Sequence, residues 1–148
     1  MPIRIATQLD LLSWVALRAR LWSDTSRDQH RAEAREMLAK SPADCIVFLD
    51  VGDQGGLRAF AEAALRHDHV NGCETSPVAF LEGIFVCPNY QGSGIGRDLL
   101  ASVQTWARER GCSELASDAH IANVASQAFH RASGFEETDR VVYFRKLL

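Results

Sequence analysis

The stretch Gln91-Gly92-Ser93-Gly94-Ile95-Gly96-Arg97 constrains this chain most, because it sets three glycines within five residues between two strongly patterned segments. Ahead of it, Val78-Ala79-Phe80-Leu81 and Ile84-Phe85-Val86 supply the β-branched and aromatic residues of a strand. Behind it, Leu99, Leu100, Val103, Trp106 and Ala107 recur at helical spacing. Glycines without a Cβ allow positive φ and let main-chain N–H groups come close to a ligand. A helix start adds unpaired donors and the positive end of a dipole. Strand, glycine turn and helix start together predict an anion site, most often for a phosphate. The alternative is a tight strand-to-helix turn that binds nothing, since short glycine motifs often occur without a ligand.

Two familiar phosphate loops do not fit. A Walker loop ends in Gly-Lys-Ser/Thr, whereas here Gly96 is followed by Arg97-Asp98. A dinucleotide fold places its glycines early in a βαβ unit, whereas here they lie past mid-chain.

At 148 residues the chain is expected to form one domain, spanning residues 1–148. No apolar run exceeds the five residues from Cys45 to Leu49, so no membrane span is expected. The first residues lack a basic segment followed by an apolar one, so no signal peptide is expected. The four cysteines, Cys45, Cys73, Cys87 and Cys112, match no metal-ligand spacing. Cys45 and Cys87 lie in apolar strand-like runs and read as buried thiols, which suits a reducing cytoplasm. His67 and His69 have no evident acidic or cysteine partner, so no metal site is expected. A net charge of −3 argues against nucleic acid and is compatible with a cationic partner.

Along the chain, Ile3 to Ala6 reads as a strand and Thr7 as the cap of a helix striped by Leu11, Leu12, Val15 and Ala19. Ser26-Arg27-Asp28-Gln29 has capping-box spacing and opens a charged helix that runs to Lys40. Cys45–Val51 and Leu57–Arg66 read as a hairpin around a glycine-rich turn, although the alanines of the second run also permit a helix. After the loop and its helix, Glu114 to Ser117 is a short strand and Asn123 to Ser133 a helix stopped by Gly134. A final strand pair is expected from Phe135 through Val141-Val142-Tyr143-Phe144. The order is β-α-α-β-β-β-α-β-α-β-β.

Gln91-Gly92-Ser93-Gly94-Ile95-Gly96 resembles the Q/R-x-x-G-x-G/A loop of the GNAT acyltransferases. Asn123, followed by Phe129-His130-Arg131-Ala132-Ser133-Gly134-Phe135, resembles that superfamily's second signature. Both sit in the superfamily's element order, and the resemblance covers essentially the whole chain. Within it, the chain looks most like the aminoglycoside 6'-N-acetyltransferases. The matching runs are Phe80-Leu81-Glu82-Gly83-Ile84, Ala116-Ser117-Asp118 and Gly134-Phe135-Glu136-Glu137-Thr138-Asp139-Arg140-Val141-Val142-Tyr143-Phe144-Arg145-Lys146.

The resemblance implies a single-domain GNAT α/β fold, with a mixed, largely antiparallel sheet flanked by helices. It implies acetyl-CoA as cosubstrate, no metal, and a homodimer whose contact involves the terminal strands. The loop Gln91–Arg97 would wrap the pyrophosphate and Ile84, Phe85 and Val86 would pair with the pantetheine arm. Asn123 and His130 would add cofactor contacts. The oxyanion donor would be a main-chain N–H near Val86, where the strand bulges from its neighbour. Many members carry a tyrosine as general acid where this chain has His130, which puts acid catalysis in doubt.

Amine acetylation needs a carboxylate to bind an ammonium and take its proton. Glu82 is the leading base, expected to share a strand face with Phe80, Ile84 and Val86; a structural ion pair with an arginine is the alternative. Asp118 reads as a substrate clamp or as a cap of the next helix. By resemblance, Asp139, Trp22 and His69 would line the substrate site. Competing functions are acetylation of another amine, such as a polyamine or a protein N-terminus, and non-catalytic acyl-CoA binding.

Overall fold

The computed structural model describes residues 2–148. Five strands form one sheet in the order β1 (Ile3–Ile5), β2 (Cys45–Val51), β3 (Leu57–Arg66), β4 (Val78–Val86) and β5 (Leu115–Ser117). The first four are antiparallel neighbours, and β5 joins β4 in parallel. Helices α1 (Leu11–Leu21) and α2 (Arg27–Lys40) follow β1. Helix α3 (Ile95–Glu109) follows β4, and α4 (Val124–Ala132) follows β5.

The β3 run is a strand, and its alanines have a packing reason. Ala59, Ala61 and Ala63 point to one face, where Leu99, Leu100, Val103 and Trp106 of α3 lie close against them. Phe60 points to the other face, into the layer of Trp14, Val15 and Leu17 from α1. The period-two pattern is thus hidden by side-chain size, not absent. Helix α2 starts as its sequence predicts, with Ser26 Oγ accepting from the Gln29 N–H at 3.1 Å. Thr7 opens a 3-10 turn, Gln8–Asp10, that runs into α1. Its N–H donates to Asp10 Oδ2 at 2.7 Å. Cys45, Cys87 and Cys112 are buried and in no disulfide.

Two expectations need correction. The strand pair from Phe135 through Phe144 does not form, and no strand follows β5 among the described residues. Phe135 packs on the α3 layer, but Val142, Tyr143 and Phe144 are 77%, 86% and 93% exposed. Their composition suits a strand, yet they pair with no strand among the described residues, and the outer flank of β5 stays unpaired.

The second correction concerns β4. Opposite β3, Glu62 faces Gly83 while Ala63 faces Leu81, so Glu82 is an extra residue without a partner. The irregularity therefore lies at Glu82 and not near Val86. It also breaks the alternation. Leu81, Ile84 and Val86 pack toward α3, while Phe80 and Phe85 pack on the opposite side. Glu82 does not share a face with Ile84 and Val86.

Candidate active site

The sheet opens where β4 outruns β5. Their register, Ala79 with Leu115, Phe80 with Ala116 and Leu81 with Ser117, ends there, while β4 continues to Val86 paired only with β3. Cys87 N–H still reaches Arg58 O at 2.8 Å, so the β3 side stays closed. On the other side Glu82 to Val86 have no strand neighbour among the described residues. An open strand flank accepts an extended, amide-bearing chain.

The glycine loop follows. Gly92 and Gly94 have φ of 79° and 87°, and Gly94 caps α3 in the left-handed region. Gln91 N–H bonds back to Pro88 O and Asp98 N–H to Gly94 O. Between them, the six N–H groups from Gly92 to Arg97 find no acceptor among the described residues. Exposed successive amides at a helix start make a concave anion site. Arg97 is exposed and in no ion pair among the described residues, which adds unspent positive charge beside it. The Gln91 side chain donates to Val86 O at 3.0 Å and ties the loop to the strand end. A Cβ on Gly96 would come within 3.2 Å of Phe129, so its absence lets α4 lie across the start of α3.

His130 sits at the point where the sheet opens. Its Nδ1 lies 2.7 Å from Ser126 O, a carbonyl that can only accept, so Nδ1 carries a proton. Its Nε2 lies 2.7 Å from Ser117 Oγ. Asn123 caps α4, with Oδ1 accepting from Ser126 N–H at 3.1 Å. The helix start therefore has its cap, and Asp118 is free of that role.

The acids gather around the same opening. Asp118 follows Ser117, whose register partner Leu81 precedes Glu82. Asp118 is exposed and without an ion-pair partner among the described residues. Glu82 is not alone: Arg66 Nη2 donates to its Oε1 and Oε2 at 3.0 and 3.2 Å. Trp22 lies against Gly83, where an added Cβ would meet the ring at 2.4 Å. Its ring also packs on Phe60 and His30, with the Arg18 guanidinium 4.8 Å above it. Trp22 is thus held by the core while flanking the site. His69 and Asp139 are exposed. Thr138 reaches Gly72, so the tail before Asp139 and the loop carrying His69 meet there.

A buried cluster supports this wall. Glu62, 2% exposed, receives Arg18 Nη1 and, at 2.9 Å, Trp14 Nε1–H. Arg18 Nε lies 3.3 Å from His30 Nδ1, and His30 Nε2 lies 2.9 Å from Trp22 O. Burial pushes the Glu62 carboxyl above the usual range, against the pull of Arg18. Sequence reading passed over this cluster, although two signals were present. Trp14, Arg18 and Trp22 follow at four-residue spacing along α1 and the residue just past its end, and Glu62 stands alone among alanines. It also missed Arg66, whose approach to Glu82 depends on the β3–β4 register.

Residues 12–135 match the family model described as the acetyltransferase (GNAT) family. The chain belongs to the GNAT family. This GNAT chain is 54% identical over 139 residues to an aminoglycoside N(6')-acetyltransferase type 1 of Serratia marcescens, covering 94% of each. It is 53% identical to a protein of the same name from Stenotrophomonas maltophilia, covering 97% of this chain and 91% of that one. Among solved structures, AAC(6')-Iy in complex with the bisubstrate analog CoA-S-monomethyl-acetylneamine superposes with a TM-score of 0.92 at 43% identity. That match covers 99% of this chain and 97% of that one. The GNAT sheet with flanking helices is as the sequence predicted. No helix among the described residues is long and apolar enough to cross a membrane.

Proposed function

We propose that this chain transfers the acetyl group of acetyl-CoA to the 6'-amine of an aminoglycoside. The observation that carries this reading is the likeness, over nearly the whole chain, to proteins named for that reaction, one of them at 54% identity. The amides of Gly92–Arg97, with Gln91 behind them, receive the diphosphate. The open flank at Ile84, Phe85 and Val86 takes the pantetheine arm, with Asn123 and His130 alongside. Acetyl-CoA supplies a thioester carbonyl to the amine. The amine nitrogen forms the new bond to the carbonyl carbon, the carbon–sulfur bond breaks, and coenzyme A leaves as its thiolate.

Glu82 receives the amine and takes its proton, directly or through one water. Asp118 and Asp139 hold further ammonium groups, and Trp22 and His69 flank the sugar rings. A CoA thiol resembles cysteine, with an ordinary pKa of about 8.5, so its thiolate leaves without strong acid assistance. All four thiols of the chain are free among the described residues, which suits the cytoplasm.

A second copy covers the exposed run Val141–Phe144, making a homodimer. Adjacent exposed apolar residues of that size are a partner's surface rather than a monomer's. Ending the chain at Arg140 should leave a monomer by sedimentation, whereas a truncated dimer rules out this contact.

A thiol-release assay with kanamycin or tobramycin tests the activity; no turnover on any 6'-amino compound rejects it. Glu82→Gln should cut kcat on the order of 100-fold or more, and Asp118→Asn should impair turnover by weakening the hold on the aminoglycoside. Calorimetric affinity for coenzyme A should stay unchanged, and an equal loss of that affinity contradicts the assigned roles.

A further inference from the structure

Arg66 is the last residue of β3 and faces Val78 across the ladder. From there its side chain lies over the Phe80 ring, with the guanidinium carbon 3.6 Å from the centroid. One terminal nitrogen, Nη2, donates to both carboxylate oxygens of Glu82. The chain thus already places a cation on the carboxylate that awaits one.

The setting of this pair differs from that of Arg18 and Glu62. Those two side chains are 5% and 2% exposed, and water cannot compete for them. Arg66 and Glu82 are 44% and 34% exposed. An ion pair so open to water and salt is held weakly, and another cation can replace it at little cost. Arg66 is also held from elsewhere, because a guanidinium over an aromatic face keeps a favourable position without its carboxylate. Glu82 is the unpaired residue of the β4 bulge.

We propose that Arg66 is a resident counter-cation that the substrate's ammonium displaces from Glu82, and that this exchange selects polycations over simple amines. The inference rests on Glu82 being the carboxylate that receives the amine. A monoamine must evict Arg66 from free solution. A polycation anchored at Asp118 or Asp139 delivers its reacting ammonium at a high local concentration and evicts Arg66 easily. Arg66 is therefore a specificity residue that touches the base without taking part in bond making.

Arg66→Met tests this, since methionine keeps an aliphatic contact with Phe80 and drops the charge; Arg66→Gln serves as a second variant. With acetyl-CoA saturating, Arg66→Met should lower KM for tobramycin roughly threefold, within the range expected for an exposed pair. It should raise kcat/KM for a simple primary amine by a larger factor. KM for acetyl-CoA should not move. The decisive comparison is calorimetric affinity for tobramycin in a Glu82→Gln background. There Arg66 has nothing to mask, and Arg66→Met should have no effect. Equal tightening in both backgrounds would show plain long-range repulsion and overturn the exchange. Weaker binding, or none of these changes, would show that Arg66 orients Glu82 or is idle, and would overturn it as well. If Glu82→Gln alone leaves tobramycin affinity intact, the fault lies in the role given to Glu82, a separate result.

Discussion

Arg18→Met removes the positive charge beside a carboxylate that water cannot reach. Glu62 is 2% exposed, and without Arg18 it keeps only the Trp14 Nε1–H at 2.9 Å. Removing one member of a buried pair costs about 3–5 kcal/mol, because the other is left desolvated and unpaired. Against the 5–15 kcal/mol typical of a whole domain, roughly, that is a severe loss. The cost depends on pH, and its sign follows from Glu62. Burial already holds this carboxyl above its ordinary value, and Arg18 opposes that rise. Without Arg18 the folded value climbs further above the unfolded one. A carboxyl raised on folding favours the native state when protonated, so stability is full below the unfolded pKa and is lost as pH rises through the folded one. The deficit of Arg18→Met should therefore be largest near pH 8 and shrink near pH 5. Adding Glu62→Gln should recover part of it at pH 8, since a neutral amide is cheaper to bury. Urea unfolding of the wild type and both variants at both pH values measures this. A deficit under about 1 kcal/mol at pH 8, or one that is equal at pH 5, refutes the account of a sealed, uncompensated charge.

Further predictions concern the loop, the bulge and the first turn. Gly94→Ala places a side chain at φ 87° and within 2.8 Å of Arg97 Nη2. It should raise KM for acetyl-CoA at least tenfold while tobramycin affinity by calorimetry is kept, and an unchanged KM argues against the amide nest. Gly83→Ala drives a methyl into the Trp22 ring, 2.4 Å away, and should cost about 1–3 kcal/mol in urea unfolding together with a fall in kcat. The Arg4 guanidinium beside Asp10 lowers that carboxyl to about 2 from 3.8. A carboxyl lowered on folding stabilises above its unfolded value and stops doing so as pH falls through the folded one. Asp10→Asn should thus lose on the order of 1–2 kcal/mol near pH 6 and almost nothing near pH 2, read by the same unfolding assay.

The parts of the fold set by local chemistry could be read in the chain itself. Ser26 announced α2, the glycines announced the start of α3, and the runs of β2 to β4 fell where the structure has them. Asp118 reads as a possible cap of the next helix, and the Asn123 side chain holds that place instead. Features set by pairing between distant segments were hidden. The extra residue at Glu82 exists only through the β3–β4 register, and it moves Ile84 and Val86 to the opposite face from the one alternation implied. The approach of Arg66 to Glu82 has the same origin. Val141–Phe144 has strand chemistry but pairs with no strand among the described residues, and no periodicity can reveal a missing neighbour.

The half-finished ladder of β4 bears on how this protein behaves before it meets its cosubstrate. From Glu82 to Val86 one flank offers peptide groups to whatever extended polypeptide arrives first, and such a flank is an adhesive seam between molecules. Stocks purified free of coenzyme A should therefore clump sooner on warming than stocks saturated with it, so the small molecule would serve as a chaperone as well as a reagent.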